Sequence, residues 1–396
     1  MAVFFHSTAT KLHHLCRHLR LHIRTFVDAK VKWIRDPYLD KAVQREKNLK
    51  SLLSLKTLII SHPSKTLPIS TISPQKPHLN LPITATKFFQ NYPSVFQIFQ
   101  PSKPLSLPHV KLTLQALSLH RQETQILSSL SNKIDLAERL AKLLMLTKAQ
   151  KLPLYVIEKL KFDLGLPHNY ILTLLPDFPE YFHICDMGIK DSNGYEVFGL
   201  ELVSWRDDLS VSAMEKRAMN MNFGSKRGMR IGFPMNFPRG FDLEKKVRNW
   251  VDEWQNLPYI SPYEDVFHLA PNSDQAEKWT VGVIHELLHL MVGKKAEKDS
   301  VFCLGDYLGF NKRFKKALVH HPGIFYISNK IRTQTVVLRE VYMKDVLVEK
   351  HPLMGMRYRK RLKKLKKMRR IVEQHEIYCY CRKFNYAVEQ TEPVVE

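Results

Sequence analysis

His285, Glu286 and His289 form an H-E-x-x-H pattern, which is the residue set and spacing of a zinc hydrolase motif. On a helix the two histidines lie one turn apart and can share a metal ion, while the glutamate polarises a bound water. A third protein ligand is also needed, but Val292 and Lys295 stand where the metzincin pattern has glycine and histidine. We therefore interpret the motif as part of an apolar helix that holds no metal, and a zinc hydrolase remains an alternative.

The other patterns associated with catalysis or cofactors are weaker. His375, Cys379 and Cys381 lack a fourth nearby ligand and the two-residue gap that is usual between zinc-binding cysteines. Neither of the glycine-rich phosphate-binding patterns, G-x-G-x-x-G and G-x-x-x-x-G-K-[ST], occurs in the chain. The sequence thus predicts no catalytic residue and no cofactor, and we do not expect an enzyme.

The densest positive charge lies in residues 357–370, where ten of 14 residues are basic and none is acidic. Leucine, methionine and valine recur there at steps of three and four residues, which predicts a helix with one docked face and a positive remainder. The whole chain has 61 Lys and Arg against 38 Asp and Glu, a net charge of +23. A polyanionic partner, such as nucleic acid or an acidic membrane surface, is therefore expected. The candidate contacts in this segment are Arg357, Arg359, Lys360, Arg361, Lys363, Lys364, Lys366, Lys367, Arg369 and Arg370.

Two smaller basic clusters are further candidates for contact with nucleic acid. The first interleaves basic residues with Phe233, Phe237 and Phe241, whose rings can stack on unpaired bases or pack in the core. The second lies on the predicted third helix of unit 3, the element that a winged-helix protein commonly presents to nucleic acid. The clusters are Lys226, Arg227, Arg230 and Arg239, and Lys312, Arg313, Lys315 and Lys316.

Three related segments, which begin at Leu79, Leu164 and Leu308, indicate the elements that position these residues. Each reaches a proline 14 or 15 residues later and a phenylalanine three residues after that proline. Because the residue before a proline is disfavoured in a helix, a short helix must end there and an extended segment begins at the phenylalanine. The prolines and phenylalanines are Pro93 and Phe96, Pro179 and Phe182, and Pro322 and Phe325.

A second β-like run follows each segment, at His109–Thr113, Val197–Trp205 and Thr335–Glu340, and helical patterns precede the second and third segments. Helices followed by a β-hairpin are the order of a winged-helix unit. The predicted fold class is α+β and predominantly helical, with tandem winged-helix-like units and helical connectors.

The first 27 residues contain no acidic side chain, and Arg17, Arg20 and Arg24 share one face of a helical projection. This pattern is typical of an organellar presequence, and its low serine content favours the mitochondrion over the chloroplast, which remains the alternative. No apolar stretch of about 18 residues predicts a membrane span. The predicted organisation is a presequence (1–30), unit 1 (31–120), unit 2 (121–206), a basic and aromatic connector with helices (207–279), unit 3 (280–345), a basic helical extension (346–385) and an acidic disordered tail (386–396).

Four longer runs carry a family resemblance: VKWIRDPYLDKAV from Val31, WVDEWQNLPYISPYED from Trp250, HELLHLMV from His285, and HPGIFYISNKIRTQTVVLREVYMKDVLVEKHPL from His321. They resemble the plant organelle RNA recognition (PORR) domain, and the similarity extends from about Val31 to Arg370. The resemblance implies a nucleus-encoded organellar protein that binds intron RNA, promotes splicing of group II introns together with other splicing factors, and performs no catalysis itself. An organellar DNA-binding winged-helix protein is a further alternative.

Overall fold

A computed structural model describes residues 33–101, 107–221, 230–238, 240–271, 273–310, 313–331, 333–348 and 351. The predicted presequence and acidic tail, and all but four residues of the predicted basic extension, lie outside these residues. The described chain forms two compact units, one of residues 46–128 and the other of residues 33–45 and 129–351. Within the described part of the chain, no helix has the length and apolar character needed to cross a membrane.

Helix α1 (Pro37–Gln44) begins at Asp36, whose side chain accepts hydrogen bonds from the backbone N–H groups of Tyr38 and Leu39. Its buried side chains, Leu39 and Val43, pack against Tyr326 and Val337. The helix therefore packs with residues that the sequence assigned to unit 3. Sequence pattern alone could not show this contact, because almost 300 residues separate the partners.

The smaller unit contains the helices α2 (Leu49–Ser61), α3 (Ile69–Ile72), α4 (Ala85–Asn91) and α5 (Leu114–Ser128), and the strands β1 (Thr66–Pro68), β2 (Phe96–Phe99) and β3 (His109–Leu112). The strands form an antiparallel sheet in the order β1-β3-β2. Leu52, Leu55 and Ile59 recur on one face of α2 and pack with Phe88 and Phe89 of α4 in a single apolar core.

The larger unit repeats this order twice. Its first part contains α6 (Leu130–Met145), β4 (Lys151–Pro153), α7 (Leu154–Leu164), α8 (Tyr170–Thr173), β5 (Phe182–Lys190) and β6 (Glu196–Leu202). Helices α9 (Ala213–Asn220) and α10 (Lys245–Gln255) follow. The second part contains α11 (Asp274–Leu290), β7 (Lys295–Glu297), α12 (Lys298–Gly305), α13 (Arg313–His320), β8 (Phe325–Ser328) and β9 (Thr335–Leu338), and a two-stranded ribbon of β10 (Tyr342–Met343) and β11 (Val346–Leu347) closes the unit.

The three sheets have one topology, because β4-β6-β5 and β7-β9-β8 are ordered as β1-β3-β2 is. We call the three sections the first, second and third repeats (residues 49–112, 130–202 and 274–338). In each repeat the carbonyl that precedes the proline accepts a hydrogen bond from the N–H of the phenylalanine that starts the hairpin, at 3.0, 3.3 and 3.0 Å. The predicted α+β class, with helices followed by hairpins, is confirmed.

Two details differ from the sequence predictions. The helix expected before Pro179 is reduced to α8 and a 3-10 turn (Leu175–Asp177), because Pro176 cannot continue a regular helix. The short strands β1, β4 and β7 were not predicted, since three residues are too few to show alternation. Each of these strands follows a non-glycine residue with a left-handed backbone, namely Lys65, Gln150 and Lys294.

Candidate nucleic-acid interface

The two histidines of the H-E-x-x-H motif share one carboxylate. His285 Nε2 lies 3.0 Å and His289 Nε2 lies 3.2 Å from Oε1 of Glu340, which follows β9 by two residues. Arg217 of α9 forms a two-pronged ion pair with the same carboxylate, at 2.9 and 3.0 Å. These atoms connect α11, α9 and the end of the third hairpin.

The charge state of this cluster follows from its burial. Desolvation lowers the pKa of His289 to about 4, so that imidazole is neutral near pH 7. Burial alone would raise the pKa of Glu340, but hydrogen bonds from His285 and His289, with a further one from Arg217, hold it well below its usual range. Two imidazoles and a carboxylate are also a plausible set of zinc ligands. In this cluster, however, Arg217 already neutralises the carboxylate.

Glu286 lies apart from this cluster, in a second buried network. Its carboxylate forms an ion pair with Lys142 of α6 at 2.8 Å and accepts hydrogen bonds from the Tyr263 hydroxyl at 2.8 Å and from the N–H of Ala213 at 2.7 Å. Its side chain is only 2% exposed. The general base of a zinc hydrolase must reach a water beside the metal. The carboxylate of Glu286 instead binds Lys142, Tyr263 and Ala213, and these contacts connect α11 with α6 and α9.

Because the two networks are satisfied by protein groups, we expect metal removal to leave the protein unchanged. Treatment with a chelator should alter neither the midpoint of urea unfolding nor RNA affinity, and metal analysis should find no stoichiometric zinc. Adding zinc to the chelated protein provides the control. A bound equivalent of zinc that raises the unfolding midpoint, and that a His289→Ala variant no longer binds, would instead identify His285, His289 and Glu340 as ligands.

Only part of the predicted basic set falls within the described residues. Arg230, Lys315 and Lys316 are exposed, and the backbone of Arg313 begins helix α13. The remaining candidates lie outside the described residues: Lys226, Arg227, Arg239, Lys312, and all ten between Arg357 and Arg370.

Helix α13 presents its lysines on the face opposite the core. Phe314, Ala317 and Leu318 are buried, whereas Lys315 and Lys316 point outward. The first repeat has a lysine at the same position of its third helix, because Lys87 precedes Pro93 by six residues, as Lys316 precedes Pro322. Lys87 is exposed as well. Among the described residues, no ion pair neutralises Lys87, Lys315 or Lys316.

The smaller unit, which contains the first repeat, is also the part of the folded chain that is poorest in acids. Residues 46–128 contain nine Lys and Arg and two Glu, a net charge of +7. One of these two, Glu123, pairs with the buried Lys56 and so does not offset the exposed lysines. On the hairpin, the Lys111 ammonium lies 5.0 Å from the centre of the Phe99 ring. A phosphate and an adjacent base can be contacted by such a pair.

A further cationic and aromatic surface lies where α7, α12 and α13 meet. Lys298 and Lys315 approach the half-buried ring of Phe302 at 5.4 and 5.3 Å. On α7, Lys159 lies 5.6 Å from the ring of Tyr155, whose hydroxyl is 3.0 Å from that of Tyr307. Of its members, sequence reasoning found only Lys315, because the others are isolated lysines and aromatics that are far apart in the chain. We call it the lysine-aromatic surface, and its residues are Tyr155, Lys159, Lys298, Phe302, Tyr307 and Lys315.

The aromatic residues of the connector have a structural role where the chain is described. Phe233 is 4% exposed and stacks on Trp254 at 5.7 Å, and both its N–H and its carbonyl bond to the Gln255 amide. Phe237 and Phe241 stack on each other at 5.1 Å. Phe233 therefore belongs to the core and is unavailable for stacking on a base.

The chain is similar to one known protein family and to several plant proteins. The model of the plant organelle RNA recognition domain matches residues 34–370. Among its Arabidopsis thaliana relatives, Protein WHAT'S THIS FACTOR 9, mitochondrial, is 37% identical over 338 residues, which are 84% of each chain. Protein WHAT'S THIS FACTOR 1 homolog, chloroplastic, is 31% identical over 336 residues, which are 83% of this chain and 62% of the relative. Protein ROOT PRIMORDIUM DEFECTIVE 1 is 31% identical over 339 residues, which are 82% of this chain and 81% of the relative. No solved structure matches the chain. The match covers most of the chain, and the protein therefore belongs to the plant organelle RNA recognition family.

Proposed function

We propose that this protein binds intron RNA in plant mitochondria and promotes splicing of group II introns by stabilising a splicing-competent RNA conformation. The observation that carries the proposal is the pair of equivalent third helices, in the first and third repeats, whose exposed lysines form no ion pair within the described residues. The mitochondrial assignment is supported by the 37% identity to a relative whose name places it in mitochondria, against 31% for a chloroplastic one.

The mechanism requires no catalytic group in the protein. A group II intron performs its own transesterifications once it is folded, but its phosphates repel one another in the compact state. Lysines and arginines that contact phosphates reduce this repulsion, and aromatic rings bind unpaired bases. Binding energy that is available only in one RNA conformation shifts the population toward it. We propose that other splicing factors join the same ribonucleoprotein.

The proposal is tested by immunoprecipitation of the tagged protein from plant mitochondria, followed by sequencing of the bound RNA. Transcripts that contain group II introns should be enriched over intron-free mitochondrial transcripts, and loss of the protein should leave those introns unspliced. The untagged line is the control. Recovery of RNA without intron enrichment would replace the splicing role with general RNA binding.

Alanine at Lys87, Lys315 and Lys316 should weaken RNA binding. Each charge-assisted contact to a phosphate contributes about 1.5 kcal/mol or more, which is about tenfold in affinity. Loss of three contacts should also reduce the slope of log K against log salt by about 2. Fluorescence anisotropy with labelled intron RNA measures both quantities, and Lys190→Ala on the second hairpin is the control. An unchanged slope in the folded triple variant would exclude these helices from the interface.

A further inference from the structure

The second hairpin differs from the other two in length. Strands β5 and β6 have nine and seven residues, whereas each strand of the first and third hairpins has four. The register pairs Phe182 with Leu202, Ile184 with Leu200, and Asp186 with Phe198. Phe182, Leu200 and Leu202 are buried, whereas Ile184 and Phe198 are exposed on the same face. The core-facing side of the hairpin therefore continues past the apolar core, and its side chains are exposed there.

This extension exposes large apolar side chains on both faces, with Ile184 and Phe198 on the core-facing side and Ile189 and Tyr195, next to the paired Lys190 and Glu196, on the other. Tyr195 is 72% exposed, Phe198 52%, Ile189 48% and Ile184 43%. Single exposed apolar residues are common, but four large ones on one two-stranded ribbon are typical of an interaction site. We call these four residues the hairpin patch.

The charge of this hairpin is opposite to that of the other two. By sequence, residues 96–112 and 325–338 each contain two basic residues and no acid, whereas residues 182–202 contain four acids and one lysine. The difference extends to equivalent positions. In the first repeat, Lys111 of β3 lies opposite Thr66 of β1. At the corresponding position of the second repeat, Glu201 of β6 lies opposite Lys151 of β4.

The four carboxylates are Asp186, Asp191, Glu196 and Glu201, and no ion pair among the described residues neutralises any of them. Asp186 and Asp191 accept hydrogen bonds from backbone N–H groups of their own turns, which fixes them next to the hairpin patch. A phosphate backbone would be repelled by this rim. A protein surface that combines apolar side chains with Lys or Arg would be attracted by the charges and would cover the patch.

We infer that the second hairpin is a docking site for a basic protein partner, which presents apolar side chains bordered by Lys or Arg, and that it is not an RNA contact. This surface is distinct from the lysines proposed to bind RNA. One chain would then hold RNA on its basic repeats and a second protein on its acidic hairpin. Charge complementarity selects this occupant, since residues 182–202 contain four carboxylates and one lysine, and none of the four is ion-paired within the described residues.

The full-length protein can be tested with a defined probe. The probe is a fluorescent peptide of about 15 residues, built from leucine and lysine with the spacing of an amphipathic helix, and a leucine-glutamate peptide of the same pattern is its counterpart. Three variants are compared with the natural chain: Ile184→Ser with Phe198→Ser, Asp186→Lys with Glu196→Lys, and Leu172→Ser as a control at an exposed leucine outside the hairpin. Circular dichroism and the midpoint of urea unfolding report whether each variant is folded.

Both hairpin variants should bind the lysine peptide about tenfold or more weakly, and the control should bind it normally. Binding of the glutamate peptide, which is directed to basic surfaces, should not fall in the serine variant. The affinity of the serine variant for intron RNA should be unchanged. A serine variant that loses RNA affinity and retains peptide binding would make the hairpin an RNA contact. Concentration-dependent dimerisation of the natural chain in sedimentation velocity, abolished in the serine variant, would make the occupant a second copy.

Discussion

Replacing the ten basic residues between Arg357 and Arg370 by alanine is expected to remove most of the salt-dependent part of RNA binding. Each phosphate contact on a single strand contributes about 0.7 to the slope of log K against log salt. If all ten side chains contact phosphates, the slope should therefore fall by about 7. Filter binding of intron RNA between about 50 and 200 mM salt measures this change.

The matched control for this variant replaces only the five lysines of the segment, Lys360, Lys363, Lys364, Lys366 and Lys367, by arginine. Charge is preserved, so the salt slope should remain that of the natural chain. Comparison of the two variants shows whether a change in the salt slope is caused by the loss of positive charge or by the loss of the lysine side chains. An unchanged slope in a folded ten-alanine protein would show that this segment does not contact RNA.

Glu340→Ala is expected to cost about 1 to 3 kcal/mol in the free energy of unfolding, because it removes a buried hydrogen-bond acceptor and an ion pair with Arg217, whose side chain is 37% exposed. His285 and His289 would lose their shared acceptor in the same step. Urea unfolding at pH 7 measures the loss. Glu264→Ala, at an exposed position, should change stability by no more than about 0.5 kcal/mol. A loss of that small size for Glu340→Ala would contradict a structural role for the cluster.

The same cluster predicts that the natural protein loses stability in mild acid. The pKa of His289 is about 4 in the folded protein, below the value of about 6.5 for a free histidine. The unfolded chain therefore takes up a proton first as pH falls from about 6.5 toward 4, and stability decreases over that range. Glu340, whose pKa is lowered on folding, adds to the loss as pH falls below about 4.3. Unfolding free energies that stay constant from pH 7 to 4 would contradict this.

The hairpins were predictable because proline acts locally. The residue before Pro93, Pro179 or Pro322 cannot continue a helix, and the phenylalanine three residues beyond the proline begins a strand in every repeat. The first strand of each sheet was not predictable. It has three residues and follows a left-handed Lys65, Gln150 or Lys294, and these residue types do not indicate such a backbone.

The site was less predictable than the fold. Glu340 lies 51 residues beyond His289, so that the H-E-x-x-H motif gave no indication of its partner. The importance of Lys87 depends on the structural equivalence of α4 and α13, since an isolated lysine carries no signal in a chain with 61 basic residues. The family resemblance is confirmed by the match over residues 34–370. The densest basic segment, Arg357 to Arg370, remains a prediction from sequence.

Competition between a structured intron RNA and duplex DNA of the same sequence tests the central claim most directly. With the full-length protein at about 150 mM salt, unlabelled RNA should displace labelled intron RNA at a much lower concentration than unlabelled duplex does. Displacement by the duplex at an equal or lower concentration would contradict the account, because a protein that prefers DNA is not built to hold an intron in its active shape.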